Sequence, residues 1–169
     1  MKPISDIDGA IRARRTVKDY EPDVIDRATI AELLELAVQA PNHHLTHPWR
    51  FWAVGPQTVE RMVEATGDRK LRRSPSAIVV GFVPDGDPET AREDEAACVA
   101  AIQTLLIAAR ARGLATFWRT PGVARRPAFA EALGAPPGTR IVGWVHVGRP
   151  AVEPVVEPRS AVAFTTWLP

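Results

Sequence analysis

The chain has 169 residues, is 46% hydrophobic, and carries a formal net charge of +1 with a single cysteine. This length suits one domain, residues 1–169, with enough apolar residues for a packed core. The near-neutral charge argues against nucleic acid or an anionic membrane as the main partner, and one cysteine excludes an internal disulfide. The chain begins without the apolar stretch of a signal peptide and has no apolar run long enough to span a bilayer, so a cytoplasmic protein is expected.

The first half of the chain predicts three helices and one strand. Residues 6 to about 14 read as a short helix, and Asp26 is a good N-cap for a second helix that ends at Pro41. Residues 50–55 alternate in polarity enough for a strand, and residues 58–65 predict a short helix. One face of the second helix is apolar: Ile30, Leu33, Leu34, Ala37 and Val38.

The second half is organised around one long helix. Residues 77–83 are continuously apolar and predict a central strand, and residues 88–112 predict a helix whose apolar middle is buried at the centre of the fold. A short extended piece, a short helix and a second buried strand follow at 115–118, 127–133 and 141–147. The order of elements predicts an α+β fold with a mixed sheet. Residues 149–169 form a proline-rich C-terminal tail that is expected to pack on a partner subunit.

Three clusters carry candidate chemistry, and the first is basic. Arg14, Arg15, Thr16 and Lys18 offer the guanidinium, hydroxyl and ammonium groups that bind a phosphate. The alternative is a solvated basic helix end, because adjacent arginines point in different directions.

The second cluster is His43, His44 and His47. Their spacing of three and four is that of zinc ligands on a helix, but Pro41 and Pro48 oppose a long helix here. No carboxylate or cysteine lies nearby in the sequence to complete a metal site. Contact with a bound ligand, exposed loop histidines and a metal site all stay open, and the expectation for metal is none.

The third cluster is Trp118 and Arg119, followed by Thr120, Pro121 and Gly122. A turn of this composition can direct backbone N–H groups at a ligand, and the alternative is an ordinary turn beside a core tryptophan. The chain has neither a Gly-x-Gly-x-x-Gly motif nor a Walker lysine loop. Cys98 lies among small apolar residues and is expected to be buried and inert.

Taken in register, five segments resemble the nitroreductase family that depends on FMN, and especially its short members. The segments are Arg14-Arg15-Thr16-Val-Lys18, the helix end Ala40-Pro41-Asn42-His43, His47-Pro48-Trp49-Arg50-Phe51, the run from Gly113 to Trp118-Arg119, and the strand from Ile141 to Gly148 and Pro150. The resemblance covers roughly residues 10 to 150. It implies a homodimer of the nitroreductase fold with FMN at the dimer interface.

The resemblance also implies roles for individual residues. Arg14 and Thr16, assisted by Arg15, are expected at the FMN phosphate and ribityl chain, and Lys18 at the N1–C2=O edge of the flavin. Gln39 and His43 are expected to contact FMN from the helix end and loop. Phe117, Trp118 and Arg119 are expected to line the other edge of the ring.

Two positions depart from the family pattern, and one further residue is a candidate for a family position near the C-terminus. His47 replaces the usual glutamine before Pro-Trp, and Leu45 replaces a polar residue, which removes one expected flavin contact. Arg159 is a candidate for the basic phosphate ligand that many members carry near the C-terminus.

The implied activity is transfer of electrons from NADH or NADPH, through FMN, to a small-molecule acceptor such as a nitroaromatic or a quinone, in a ping-pong reaction. The alternatives are a flavin-binding protein without turnover and a metal-binding protein that uses the histidine cluster.

Overall fold

Four antiparallel strands form the central sheet in the order β1-β2-β4-β3. The computed structural model describes residues 1–168, and its strands are β1 (Arg50–Val54), β2 (Ser76–Phe82), β3 (Ala115–Arg119) and β4 (Arg140–Gly148). The sequence predicted a mixed sheet. The four strands are antiparallel, and the parallel pairing is an isolated bridge between Thr16 and Thr116. The two central strands, β2 and β4, are the two continuous apolar runs of the sequence.

Five helices surround the sheet: α1 (Ile7–Ala13), α2 (Arg27–Ala37), α3 (Pro56–Thr66), α4 (Pro88–Ala111) and α5 (Pro127–Leu133). The side chains of Asp6, Asp26 and Asp87 accept hydrogen bonds from backbone N–H groups at the starts of α1, α2 and α4. Helix α3 begins two residues earlier than predicted, because Pro56 suits the first helical position. Short 3-10 helices occur at His43–Leu45, Arg69–Arg73, Gly122–Arg125 and Val162–Phe164.

The sheet separates two hydrophobic clusters, and the alternation of side chains along β2 explains both. Ile78 and Val80 face α2 and α4, whereas Val79 faces α3 and α5 together with Trp144 of β4. Because both faces are covered, the strand has no polar face and reads as a continuous apolar run. The middle of α4 is buried against the sheet and α2, which confirms the predicted long buried helix.

The C-terminal tail divides into two parts. Its first part is fixed to the N-terminal segment of its own chain: the N–H groups of Glu21 and Ala151 donate to the carbonyls of Arg149 and Asp19, and the Arg15 guanidinium donates to the carbonyl of Glu157. Four apolar side chains of the last part are more than 80% exposed: Val162, Phe164, Trp167 and Leu168. Packing of the tail on a partner subunit stays a prediction, and Pro169 lies outside the described residues.

Within residues 1–168, no helix is both long enough and apolar enough to cross a membrane.

Candidate functional site

Positive charge gathers at the end of α1. Burial lowers the pKa of Arg14, and the like charges of Arg159 and Arg15 lower it further. Arg159 lies 145 positions after Arg14 in the chain, and the folded tail brings its charge near Arg14. Because these like charges act on Arg14, an anion bound near it would be favoured.

A small cavity joins the first and third sequence clusters. The segment after α1 runs beside β3, with a bridge from Thr16 to Thr116 and a hydrogen bond from the Val17 N–H to the Thr116 carbonyl at 3.1 Å. This pairing forms a cavity of about 200 Å³, lined by Arg14, Thr16, Gln103, Leu106, Thr116 and Trp118. The structure therefore brings Arg14 and Thr16 together with Trp118.

A second, more basic cavity lies beside Lys18. Its volume is about 570 Å³, and it is lined by Lys18, Asp19, Arg69, Lys70, Arg72 and Arg73. Arg72 is paired within the chain, because its guanidinium donates hydrogen bonds of 2.8 and 2.9 Å to the two carboxylate oxygens of Glu60. Sequence reasoning missed this segment, although four cations in the five residues Arg69–Arg73 were a visible signal.

Arg119 holds the basic segment in place. Its guanidinium lies 3.0 Å from a carboxylate oxygen of Asp68, and both side chains are only 15% exposed. The other carboxylate oxygen of Asp68 accepts from the backbone N–H of Lys70 at 2.9 Å, at the start of the 3-10 helix. The Arg119 side chain therefore helps to position Arg69–Arg73, and its Nη1 is buried without a hydrogen-bond partner among the described residues.

Phe117 and Trp118 are successive residues of β3: Trp118 lines the small cavity, and Phe117 lies beside two cations of the basic cavity. The Lys18 ammonium and the Arg73 guanidinium lie 5.9 and 5.5 Å from the centre of the Phe117 ring. The indole nitrogen of Trp118 is buried and has no hydrogen-bond partner among the described residues. A buried donor of this kind is rare in folded proteins.

Phe117 packs on a buried histidine that sequence reasoning did not single out. The rings of Phe117 and His146 are stacked with centroids 5.7 Å apart, and Ser74 Oγ lies 2.8 Å from Nδ1 of His146. Burial lowers the pKa of His146 to about 3, and the charges of Arg119 and Arg73 act in the same direction. His146 is therefore neutral near pH 7 and supports Phe117 without adding charge.

Gln39 and His43 lie in a different part of the chain from these cavities. The Gln39 amide donates to the Glu35 carbonyl of its own helix at 3.3 Å, and its side chain is exposed. His43 lines a separate cavity of about 420 Å³, together with Pro41, Asn42 and the face of α4 from Glu93 to Ala100. In a single chain, His43 does not share the cavities of Arg14 and Lys18.

The loop that carries the histidines is strained and held by hydrogen bonds. His44, Leu45 and His47 have φ values of 53, 52 and 48°, a left-handed conformation that costs about 1–2 kcal/mol for each such residue. The Asn42 amide donates to Thr46 Oγ1 at 2.9 Å, and the Thr46 hydroxyl donates to the buried carboxylate of Asp94 at 2.6 Å. The fold fixes this loop against α4 despite the strain, as is common at functional sites.

Cys98 is confirmed as buried, and its surroundings account for its inertness. Its side chain is fully buried, and burial raises the pKa of the thiol to about 12, with the charges of Asp94 and Glu95 acting in the same direction. A thiol that stays protonated at neutral pH is neither a nucleophile nor a metal ligand.

Comparison with known proteins settles the family. A family model described as the nitroreductase family matches residues 11–77 and 66–149. The chain belongs to the nitroreductase family. The residues matched include all three clusters, from Arg14 to Arg119.

Individual relatives agree with this membership over nearly the whole chain. A Bacillus subtilis protein with the name "Putative NAD(P)H nitroreductase YfhC" is 26% identical over 171 residues, which cover 90% of this chain and 88% of that protein. The crystal structure of a nitroreductase-like family protein from Bacillus cereus superposes with a TM-score of 0.87 at 26% identity, covering 99% and 98% of the two chains. A Bacteroides fragilis nitroreductase with bound FMN has the same fold, with a TM-score of 0.79, 23% identity and coverage of 98% and 99%.

Proposed function

We propose that this member of the nitroreductase family is an FMN-dependent oxidoreductase that uses NADH or NADPH to reduce a small-molecule acceptor such as a nitroaromatic or a quinone. When bound, FMN accepts a hydride from the nicotinamide donor and passes electrons to the acceptor. The observation that carries the proposal is the cavity that brings Arg14, Thr16 and Trp118 together, with the basic cavity at Lys18 two residues along the chain from Thr16.

The phosphate of FMN fits the first of these features. Arg14 and Arg159 supply two guanidinium groups, and Thr16 supplies a hydroxyl at the mouth of the small cavity. A phosphate placed among them would form charge-assisted hydrogen bonds and relieve the repulsion between the arginines. Arg15 has another task, because its guanidinium donates to the carbonyls of Arg12, Arg14 and Glu157. It thereby holds the tail that carries Arg159.

The pyrimidine edge of the flavin fits the second feature. Lys18, Lys70 and Arg73 border one cavity, and Arg119 fixes the segment that carries Lys70 and Arg73. Cations placed in advance at the N1–C2=O edge would stabilise the negative charge that reduction places there.

A homodimer is part of the proposal, because Gln39 and His43 do not share a cavity with Arg14 and Lys18 in one chain. If all of them contact one flavin, as family resemblance implies, Gln39 and His43 come from the partner subunit. Exposed apolar residues support such an interface: Ile7, Ile11, Leu36, Phe164, Trp167 and Leu168. The proposed flavin site is then incomplete without a second copy of the chain.

The experiment that tests this function is an absorbance spectrum of the purified protein before and after anaerobic addition of NADPH or NADH. A yellow protein that is bleached by either donor supports the oxidoreductase. A yellow protein that neither donor bleaches is a flavin-binding protein without turnover. A colourless protein that takes up no FMN contradicts the proposal. If the protein is active, a panel of nitroaromatics and quinones identifies the class of its acceptor.

A further inference from the structure

We propose that His43, His44 and Glu93 form a binding site for a divalent transition-metal ion, with Zn²⁺ as the ion that the donor set fits best. The two imidazoles and the carboxylate each offer one ligand atom, and these three atoms all lie within 4.8 Å of one another. The sequence argued against a metal because no carboxylate lies near the histidines along the chain. The fold supplies that carboxylate from α4, fifty positions beyond His43.

Short distances between the ligand atoms show that the side chains need little rearrangement to bind an ion. Nδ1 of His43 lies 2.8 Å from a carboxylate oxygen of Glu93, and the rings of His43 and His44 are stacked with centroids 3.9 Å apart. Ligands at 2.0–2.2 Å in a tetrahedral zinc site are about 3.3 Å from one another. Side-chain rotations would therefore bring all three atoms to binding distance. These side chains can rotate, because His43 and His44 are exposed and Glu93 is half-buried.

The backbone around the three ligands is fixed before any ion binds. The hydrogen bonds from Asn42 to Thr46 and from Thr46 to Asp94 connect the loop to α4 at the residue next to Glu93. This connection holds His44 in a left-handed conformation that a non-glycine residue rarely adopts. The loop and the helix are thus held together at the point where both contribute ligands, which lowers the entropy lost when an ion orders them.

Two histidines and one glutamate form the donor set of many zinc sites that keep a fourth position open for water or substrate. The metal site is compatible with a flavin contact of His43, since an imidazole has two ring nitrogens and a metal ion occupies one of them. His47 is excluded from the group, although it belongs to the same loop. It therefore provides a matched control: a histidine of similar exposure, within four residues, that is not a proposed ligand.

The test measures Zn²⁺ binding by isothermal titration calorimetry to the purified full-length protein as isolated, after dialysis against a chelator and then against metal-free buffer. Co²⁺ is the spectroscopic probe, because its visible bands report coordination geometry. We expect one Zn²⁺ per chain. His43→Ala, His44→Ala and Glu93→Gln are each expected to weaken binding by at least roughly 10-fold, the smallest loss typical when support for a metal ligand is removed. His47→Ala is expected to change the affinity less than twofold.

Three outcomes would overturn the site. One is the absence of saturable binding at one ion per chain. The second is an affinity that Glu93→Gln leaves unchanged, which means that the exposed histidines bind the ion without a built site. The third is an equal loss from His47→Ala, which means that any histidine of the loop binds the ion. All four side chains are at least partly exposed, so circular dichroism is expected to show that every variant folds like the parent.

Discussion

Gly143 of β4 lies directly against the indole of Trp118 on β3, so close that a Cβ at residue 143 would overlap the indole nitrogen. The side chain of Trp118 can lie across the sheet and line the Arg14 cavity because residue 143 has no side chain. Gly143→Ala is therefore expected to displace the indole and to lower the free energy of unfolding by about 1–3 kcal/mol, the usual cost of overpacking. FMN affinity is expected to fall in the same variant.

Urea unfolding and a flavin titration check both effects. Gly122→Ala is the matched control, because no heavy atom lies within 4 Å of a Cβ built there and its φ is not in the left-handed region. If Gly143→Ala binds FMN as tightly as the parent, the wall formed by Trp118 does not belong to the flavin site.

Arg14→Ala is expected to weaken FMN binding by about 1.5–3 kcal/mol, the range for a hydrogen bond to a charged group. Arg159→Ala is expected to act in the same direction, because its charge reaches Arg14 and both are proposed phosphate ligands. Fluorescence titration of the flavin-free protein measures the change, with Arg27→Ala at the exposed start of α2 as the control. Unchanged affinity in Arg14→Ala removes this residue from the site.

The buried His146 is expected to make the free energy of unfolding depend on pH. Its folded pKa of about 3 lies below the unfolded value of about 6.5, so its contribution is complete above pH 6.5 and is lost as the pH falls from 6.5 toward 3. Between pH 7 and pH 5 this loss amounts to about 2 kcal/mol. Urea unfolding gives the free energy of unfolding at the two pH values. The difference between them is expected to be smaller in His146→Gln than in the parent by about that amount, whereas His47→Gln, at an exposed residue, keeps the parent's difference.

The native protein is expected to be a homodimer whose interface includes the exposed end of the tail. Light scattering after size exclusion is expected to report twice the chain mass of 18.4 kDa. The double variant Phe164→Asp and Trp167→Asp is expected to shift the protein toward the monomer and to reduce its flavin content, because charged groups cannot be buried unpaired at an interface. Val83→Asp, in the loop before α4, is the control. A monomer that is fully loaded with FMN would contradict the shared site.

Turnover is expected to be ping-pong, because the chain has no separate dinucleotide motif and the basic clusters converge on one proposed flavin site. The donor then leaves before the acceptor binds, so initial rates at several acceptor concentrations give parallel double-reciprocal lines. Stopped-flow mixing with NADPH or NADH alone is expected to bleach the flavin at least as fast as steady-state turnover. Intersecting lines would require a ternary complex and a second binding site.

Most of the fold could be predicted from sequence because each helix and strand has a local signal. The short helix Pro127–Leu133 was predicted with its true limits, since a proline starts it and Gly134 ends it in a left-handed conformation. Gly113 ends the long helix in the same way, and the two buried strands are continuous apolar runs. Most other boundaries moved by one or two residues, but α2, predicted to end at Pro41, ends at Ala37, and a turn leads from there to the proline.

Long-range partners could not be predicted, because nothing local specifies them. The ion pair of Arg119 with Asp68 and the approach of Glu93 to His43 connect residues about fifty positions apart. The resemblance implied an assisting role for Arg15 at the phosphate, which stays a prediction. Its guanidinium also reaches the carbonyl of Glu157, a contact that exists only after the tail has folded back. His146 gave no sign of its burial beyond its place in an apolar strand.

The inertness of Cys98 has a practical consequence for biophysical work. The chain has no other cysteine, and this one is buried with a pKa of about 12. Any cysteine introduced at the surface is therefore the only thiol that reacts with a maleimide or a nitroxide reagent under native conditions. Probes at Gln39 on one chain and at Lys70 on another can be attached without first replacing Cys98, and the separation between them can be measured in solution by fluorescence transfer or electron spin resonance.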